Sequence, residues 1–185
     1  MKTIYFVTKS GYKFECFTTS VKLPGAIFQK LEHNTPEIQS MENKEIAEFS
    51  ASWAANKFRI PVIKEDIGLF IDALNGFPGP YLSHVEPLIK SEGFLKLMEN
   101  KTNRRPRWKY TVAFCEPNKS PVSFSTVQEG TIALEPKGNA GYESDKIFIP
   151  WGSNRTIAEL LETKQFVRNN GHYGRLKKYL QSKFT

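Results

Sequence analysis

The residues around Glu65 and Asp66 constrain the fold more than any other part of the chain. Two short runs of apolar β-formers, 62–63 and 69–71, flank this acidic pair, and a turn rich in Gly and Pro follows at residues 76–81. Short apolar runs bounded by turn residues predict strands. The carboxylates are therefore expected at a strand end, beside a rigid loop.

An acidic pair at a strand end has two interpretations. Mg²⁺ takes oxygen ligands and leaves some positions to water and phosphate, so Glu65 and Asp66 are candidate metal ligands. Acidic residues also crowd solvated turns for reasons unrelated to chemistry, and composition alone favours that reading. The flanking strands and Gly68, which permits close backbone approach, favour a cleft over a loop tip and make the metal site a competitive hypothesis.

The beginning of the chain predicts an anion site. Residues 4–7 form a continuous β-forming run that reads as a buried strand and delivers Thr8 at its end. A helix is expected to open at Ser10 or Gly11, which places Lys13 on its first turn near unpaired backbone amides. Phosphate is favoured there, although the glycine spacing of a Walker A loop is absent.

The remaining pattern predicts further strands and helices. Alternation from Trp108 to Phe114 and the β-rich run 122–134 predict a hairpin. The other expected elements are strands at 26–31 and 146–149, a helix with Ile46, Phe49, Trp53 and Ala54 on its core face, a helix around 158–161, and a basic terminal helix with Leu176, Tyr179 and Leu180 inward.

Composition limits the class of protein. A chain of 185 residues with 39% hydrophobic residues can bury one core, or a core divided over two lobes. The net charge of +7 suits polyanions in general. Cys16 and Cys115 lack metal-ligand spacing, so neither a disulfide framework nor a zinc site is indicated. The first apolar run is too short for a signal peptide or a membrane span, which predicts a cytoplasmic protein without a membrane partner.

Basic residues gather between Lys101 and Lys109, with Trp108 among them. A nucleic-acid patch with a stacking indole is one interpretation. Because the cluster borders a predicted strand, a charged loop leading into a core tryptophan is the favoured one, and nucleic acid is not an expected partner.

Taken together, the segments resemble the inosine/xanthosine triphosphate pyrophosphatase family along nearly the whole chain. The strongest portion runs from Glu65 to Tyr81 and is similar to the family signature of an acidic pair, Gly-Leu, Ala-Leu and Pro-Gly-x-Tyr. Weaker matches in the expected order are residues 6–8 with Lys13, 36–39, 145–150 with Gly152, and Thr156 with 158–160.

The resemblance implies an α/β fold. A long twisted mixed β-sheet flanked by helices would form two lobes with a nucleotide cleft between them, in a single pyrophosphatase-like domain spanning 1–185 and pairing as a homodimer. It also implies hydrolysis of a nucleoside triphosphate to the monophosphate and pyrophosphate, with Mg²⁺, or alternatively Mn²⁺, as cofactor.

The resemblance assigns roles to individual residues. Asp66 would orient or deprotonate the attacking water and Lys13 would stabilise phosphate charge, as the two catalytic residues. The implied metal ligands are Glu37, Glu65 and Asp66. The implied substrate-binding residues are Thr8, Ser10, Lys13, Tyr142, Asp145, Arg168, His172 and Tyr173.

The chain departs from the family pattern mainly where the base is read. Ser144 replaces the second aromatic residue of the base-reading segment, and Tyr173 replaces an arginine that helps to recognise the 6-oxo group. Near the phosphates, Ser10 stands for an asparagine, while Arg168 and Ser50 lie about where lysines are expected. Ile67 also replaces a Ser or Thr. This distribution predicts an altered base preference.

Two hypotheses follow from the resemblance and its departures. The first is an active Mg²⁺-dependent pyrophosphatase acting on a modified or deaminated purine nucleotide with altered base preference. The second is a catalytically weak or inactive nucleotide-binding homologue that acts as a sensor or binds a partner protein.

Overall fold

The computed structural model describes residues 2–184. Two 3₁₀ turns, Asp72–Leu74 and Ser144–Lys146, interrupt the loops. Seven strands and five helices follow one another in the order β1 Lys2–Val7, α1 Gly11–Ser20, β2 Ala26–Leu31, α2 Asn43–Phe58, β3 Val62–Ile71, β4 Pro78–Gly79, α3 Leu82–Leu97, β5 Pro106–Cys115, β6 Val122–Ile132, β7 Phe148–Pro150, α4 Ile157–Glu162 and α5 Gly171–Phe184.

The strands form one mixed sheet in the order β2-β1-β3-β5-β6-β7, and β4 pairs with β3 off that path. β1 is parallel to β2, with Ile4 opposite Phe28, and parallel to β3. β3–β4 and β6–β7 are antiparallel pairs. A mixed sheet flanked by helices was expected from the sequence, and this fold class is confirmed.

The chain divides into two compact units. The first comprises residues 1–67, 110–126 and 170–185, and the second comprises 68–109 and 127–169. The strands β3, β5 and β6 each begin in one unit and end in the other.

In the first unit, β1 shows how the core is built on both faces of the sheet. Successive side chains of a strand point to opposite faces. Phe6 belongs to the apolar cluster that contains Phe17 of α1 and Leu176 of α5. Its neighbour Val7 belongs to a second cluster, which is dominated by alanines of α2 such as Ala51. Small alanine side chains let α2 approach the sheet closely.

In the second unit, buried apolar side chains come from α3 and its C-terminal end, from β5 and from β7. Phe94 and Met98 are buried, as are Trp108 and Phe148, whose rings lie 6.1 Å apart between centroids. α3 is not a regular helix throughout, because Lys90 has a φ of +55° and interrupts it. The sequence pattern did not predict α3, in which Pro87 and Gly93 obscure the helical period.

Several predicted elements need correction. β3 is one continuous strand, so Glu65 and Asp66 lie in its middle and not at a strand end. Charged residues can lie within a strand when polar partners are present on both of its faces, and this accounts for the continuity of β3. Phe49 of α2 is 40% exposed and does not belong to the core face. The strand expected at 146–149 is a 3₁₀ turn followed by the shorter β7.

The pairing of β5 with β6, the capped start of α1 and the terminal helix agree with the sequence pattern. Leu176 and Leu180 are fully buried, and Tyr179 packs against the same core. Among residues 2–184, no helix is long and apolar enough to cross a membrane.

Gly130 provides a test of the β6–β7 pairing. A Cβ at this position would lie 2.4 Å from the Ile149 carbonyl oxygen and 2.5 Å from the Phe148 ring. We expect Gly130→Ala to lower the free energy of unfolding by roughly 1–3 kcal/mol, because neither backbone nor buried ring yields without distortion. Denaturant titration measures this change.

Gly174 in α5 supplies the matched control, since a Cβ there would meet nothing within 4 Å. Gly174→Ala should raise the stability by about 0.5–1 kcal/mol, the usual gain of alanine over glycine inside a helix. Equal effects of the two substitutions would contradict the packing described for β7.

Candidate active site

The alternation of β3 separates the two acidic residues. Lys64 and Asp66 share one face of the strand, while Glu65 between them points to the other. Their exposure follows the same pattern, because Glu65 is buried and its two neighbours are partly accessible. The acidic pair of the sequence is therefore not a pair in space.

Asp66 is the centre of the accessible cluster. Asn43, the first residue of α2, donates a hydrogen bond from its side-chain amide to Asp66 Oδ2. Burial raises the pKa of Asp66 to about 6, and the negative charge of Glu37 adds to this rise. The Asn43 hydrogen bond and the positive charges of Lys13 and Lys64 oppose it. Such a carboxyl changes its charge near neutral pH and is suited to accepting a proton.

Lys64 was not singled out in the sequence and belongs to the same cluster. Burial lowers the pKa of its ammonium group, and the neighbouring charge of Lys13 lowers it further. Glu37 and Asp66 raise the pKa of Lys64 and so oppose this effect. Two lysines and two carboxylates thus interact electrostatically within the first unit. Alternate residues of a strand share a face, so the position of Lys64 two residues before Asp66 could have identified it from the sequence.

The loop after β1 presents hydroxyl groups beside Lys13. Thr8 Oγ1 accepts a hydrogen bond of 3.1 Å from the Ser10 amide, and Ser10 Oγ accepts one of 3.2 Å from the Lys13 amide as the N-cap of α1. A hydroxyl that accepts in this way keeps its own proton for a ligand. Ser10 is therefore the N-cap of α1, and serine has this structural role at a position where the family pattern has another residue.

The loop that carries Glu37 is held by α2. Ser50 is fully buried, and its hydroxyl donates a 3.1 Å hydrogen bond to the Pro36 carbonyl oxygen. Ser50 occupies about the place where the resemblance suggests a lysine. Its contact fixes the residue before Glu37, so its role in this chain is to hold the loop.

On the opposite face of β3, Glu65 joins the start of α5. The side chains of Glu65 and His172 are both fully buried, and His172 Nε2 lies 3.0 Å from Glu65 Oε1. The Tyr173 hydroxyl donates a 2.8 Å hydrogen bond to the same oxygen. The Tyr110 ring stacks on the His172 imidazole, with 5.6 Å between centroids and 12° between planes. His172 and Tyr173 are thus placed in the core of the first unit, in contact with Glu65.

In the second unit, the turn at 141–146 is tied to α3. The Ser144 amide donates a 2.7 Å hydrogen bond to the buried carboxyl of Glu86, and the Ser144 hydroxyl bonds the same oxygen. Glu143 accepts a 2.9 Å hydrogen bond from the Ser91 hydroxyl. Glu143 also bonds Lys146, and these contacts lower the pKa of Glu143 to about 2. Ser144, which replaces an aromatic residue of the family pattern, is therefore an anchor of the turn.

Asp145 shapes the same turn around Tyr142. Its carboxylate accepts a 2.8 Å hydrogen bond from the Tyr142 amide, while burial raises the pKa of Asp145 to about 6. Gly141 has a φ of +77°, and a Cβ there would lie 2.3 Å from Asp145 Oδ2, so only glycine fits. The Tyr142 side chain is 60% exposed on this fixed backbone. Arg168, also in the second unit, is buried.

The structure thus brings some of the expected site residues together. Lys13 and Glu37 both interact with Asp66, and Thr8 and Ser10 form the loop next to Lys13. Glu65 does not join them, because it projects from the other face of β3. Within residues 2–184, no group of three or more His, Cys, Asp and Glu side chains is arranged as a metal site.

Solved structures with this fold define the class of protein. A HAM1 protein from Coxiella burnetii superposes with a TM-score of 0.84 at 26% identity, covering 98% of this chain and 100% of that one. A Ham1 protein from Staphylococcus aureus, at 23% identity and a TM-score of 0.81, shares the fold over 98% of this chain and 100% of its own.

The chain belongs to the Ham1 family, whose sequence model matches residues 4–169. A dITP/XTP pyrophosphatase of Methanopyrus kandleri is 46% identical over 136 residues, covering 74% of this chain and 72% of the relative. The dITP/XTP pyrophosphatase of Methanosarcina acetivorans is 39% identical, with 89% of each chain covered. The family and the class of enzyme that the resemblance implied are confirmed.

The raised pKa of Asp66 generates a prediction about stability. A carboxyl that is harder to ionise in the folded state binds its proton more tightly there, so its contribution favours folding at low pH and is lost as pH rises from about 4 to about 6. We expect Asp66→Asn to raise the free energy of unfolding by roughly 2–3 kcal/mol at pH 8 and by about half of that near pH 5.

Urea unfolding at the two pH values measures the difference. Glu15→Gln, an exposed carboxylate of α1, is the control and should change stability by less than about 0.5 kcal/mol at either pH. An Asp66→Asn variant that is less stable than the parent at pH 8 would contradict the burial cost assigned to this carboxylate.

Proposed function

We propose that this chain is a metal-dependent nucleoside triphosphate pyrophosphatase whose reaction centre is the cluster of Lys13, Glu37, Lys64 and Asp66. The observation that carries the proposal is the partly buried carboxylate of Asp66, held by Asn43 and interacting with two lysines. Names of relatives such as the dITP/XTP pyrophosphatase of Methanopyrus kandleri support the choice of reaction.

The proposed reaction is attack of water on the α-phosphorus. The water oxygen forms a bond to this phosphorus, the bond to the bridging oxygen between the α- and β-phosphates breaks, and pyrophosphate leaves. Asp66 accepts the proton of the attacking water, and its pKa of about 6 leaves it largely ionised at neutral pH. Asn43 fixes the orientation of the carboxylate, which gives the water a defined direction of approach.

Cations and hydroxyls handle the charge of the phosphates. In the proposed reaction, Lys13 and Lys64 stabilise the negative charge that develops on the phosphoryl oxygens, and so stabilise the transition state more than the ground state. Their electrostatic interactions with Asp66 support this role. The Thr8 and Ser10 hydroxyls donate to phosphate oxygens, and the backbone amides at the start of α1 add to the positive potential.

The donor set fits a divalent metal that arrives with the nucleotide. Mg²⁺ is usually held by one or two carboxylates together with substrate phosphates, and Glu37 and Asp66 are two such carboxylates. When bound, the ion would neutralise phosphate charge and lower the pKa of a coordinated water. Because Glu65 faces α5, we assign it the role of positioning β3, in place of the metal-binding role that the resemblance suggested.

The base preference is proposed to differ from that of the dITP/XTP pyrophosphatases. His172 and Tyr173 contact Glu65 in the core, and Ser144 bonds Glu86, so these side chains are engaged inside the protein. Tyr142 remains as an exposed ring for stacking on a base. Stacking alone distinguishes bases weakly, so we expect reduced discrimination for 6-oxo purines. A cytoplasmic homodimer in which residues 1–185 act as one domain completes the proposal.

Turnover of a panel of triphosphates tests the reaction. We expect pyrophosphate release from dITP and XTP with Mg²⁺, with ATP and GTP less than about a hundredfold poorer in kcat/KM. Lys13→Ala and Asp66→Asn should each lower kcat by at least about a hundredfold, because each removes a charge used in the transition state.

Nucleotide binding measured by calorimetry separates the alternatives. Binding of all the triphosphates without release of pyrophosphate would favour the inactive sensor, and the enzymatic proposal would then be abandoned.

The two glutamates predict different responses to Mg²⁺. Glu37→Gln should raise the Mg²⁺ concentration for half-maximal activity by roughly tenfold, because a ligand charge is lost. Glu65→Gln should leave that concentration unchanged and instead lower the melting temperature, since it weakens the contacts with His172 and Tyr173. A shift of the Mg²⁺ requirement by Glu65→Gln alone would reverse the two assignments.

A further inference from the structure

The second unit has a sheet face with exposed cations and aromatic rings. Along β5, Pro106, Trp108 and Tyr110 are buried, while Arg107 is exposed and Lys109 is half-buried. Arg105, directly before the strand, is exposed as well. Alternate residues of a strand lie about 6.6 Å apart on one face. Arg107 and Lys109 therefore lie on one face of β5, and Arg105 directly precedes the strand. These three basic residues are called here the β5 basic row.

Aromatic rings lie beside this row. The Arg105 guanidinium lies 5.6 Å from the centroid of the Trp151 ring, and Trp151 is 58% exposed. The Lys109 ammonium lies 5.7 Å from the centroid of the Phe70 ring. An exposed indole next to a cation is a platform on which any nucleobase can stack.

A small cavity is lined by residues of the β5 basic row and by Trp151. It has a volume of about 140 Å³, and its lining includes Asp72, Arg105, Arg107, Glu129, Gly130 and Trp151. Pockets that enclose a whole small molecule have volumes of roughly 300–1,000 Å³. This cavity is large enough for only part of a ligand, so the remainder would have to extend along the exposed face.

Two carboxylates moderate the positive charge of the face. Asp72 bonds Arg107 at 2.8 Å, and Glu129 lies in the cavity wall. Asp72 holds the Arg107 guanidinium in a fixed orientation while it reduces the local potential. The face carries three cations and two carboxylates, so its net positive charge is small. Such a face favours a polyanion that binds weakly through many contacts over a single tightly held phosphate.

We propose that this face binds single-stranded nucleic acid without sequence preference, with phosphates along the β5 basic row and a base stacked on Trp151. Aromatic rings and basic side chains on an exposed sheet are the means by which several domains hold unpaired strands. The core position of Trp108, expected from the sequence, excludes that indole from the site. Trp151 supplies the stacking ring. The inference does not depend on the hydrolytic activity.

Binding of a fluorescein-labelled 12-nucleotide oligothymidylate tests the proposal by fluorescence anisotropy. At 50 mM salt we expect a Kd in the range of about 10⁻⁶–10⁻⁴ M, typical of non-specific binding. Three phosphate contacts predict that log K falls with log salt at a slope of about −2. No binding at 50 mM salt overturns the proposal.

Variants of the face separate its two contributions. Arg105→Glu with Arg107→Glu should weaken binding more than tenfold and reduce the salt slope from about −2 to about −0.7, since only the Lys109 contact remains. Trp151→Ala should weaken binding by roughly tenfold while the slope is kept, and Trp151→Phe should restore most of the loss. Because Arg107→Glu faces Asp72 and risks unfolding, Arg105→Glu alone is measured too, with circular dichroism as a check on folding.

The matched control is Lys22→Glu with Lys178→Glu, which makes the same change of charge at two exposed lysines of the first unit. This control should retain the salt slope. If this control loses as much binding as the double arginine variant, net charge alone explains the effect and the proposal is overturned. A self-associating parent that becomes monomeric when Arg105 and Trp151 are changed would also overturn it, by assigning the face to a second copy of the chain.

Discussion

The buried contact between Glu65, His172 and Tyr173 is the constraint on which the first unit depends. A carboxyl without exposure is costly unless its oxygens are bonded, and removing a partner from such a group typically costs about 3–5 kcal/mol. β3 therefore cannot slip or turn over without losing the contact with α5. Since alternate residues face opposite sides, fixing Glu65 on one face fixes Lys64 and Asp66 on the other.

The acidic residues on the two faces of β3 thus have different surroundings. Glu65 is buried and contacts His172 and Tyr173 through Oε1, whereas Asp66 is left partly accessible, with its pKa raised by burial. At neutral pH, an acid whose ionisation is disfavoured in the folded state lowers the stability of the protein. A carboxyl with a strongly shifted pKa among charged neighbours is typical of functional sites. The interactions of Asp66 with Lys13, Glu37 and Lys64 therefore support its proposed role as a proton acceptor next to phosphate.

Local patterns predicted the fold well and the site only in part. The apolar run 4–7, the Ser10 cap and the alternation from Trp108 predicted elements whose cause is local, and each is present. The strand through Glu65 and Asp66 was missed because its polar residues find partners far away in sequence, at Asn43 and at Tyr173. No property of residues 61–71 alone reveals that Asn43 and Tyr173 supply those contacts.

The departures from the family pattern gain a common explanation from their contacts. Ser10 caps a helix, Ser50 holds the loop before Glu37, and Ser144 bonds the carboxyl of Glu86. Each serine stands where the family pattern suggests a larger side chain, and each hydroxyl makes a hydrogen bond within the protein. The hydroxyl proton of Ser10 remains available for a ligand. The contacts of Ser50 and Ser144 are structural ones, whereas Lys13, Lys64 and Asp66 are the side chains that we propose for the reaction. Because base recognition and the reaction depend on different side chains, the altered base preference that we propose is compatible with an unchanged reaction.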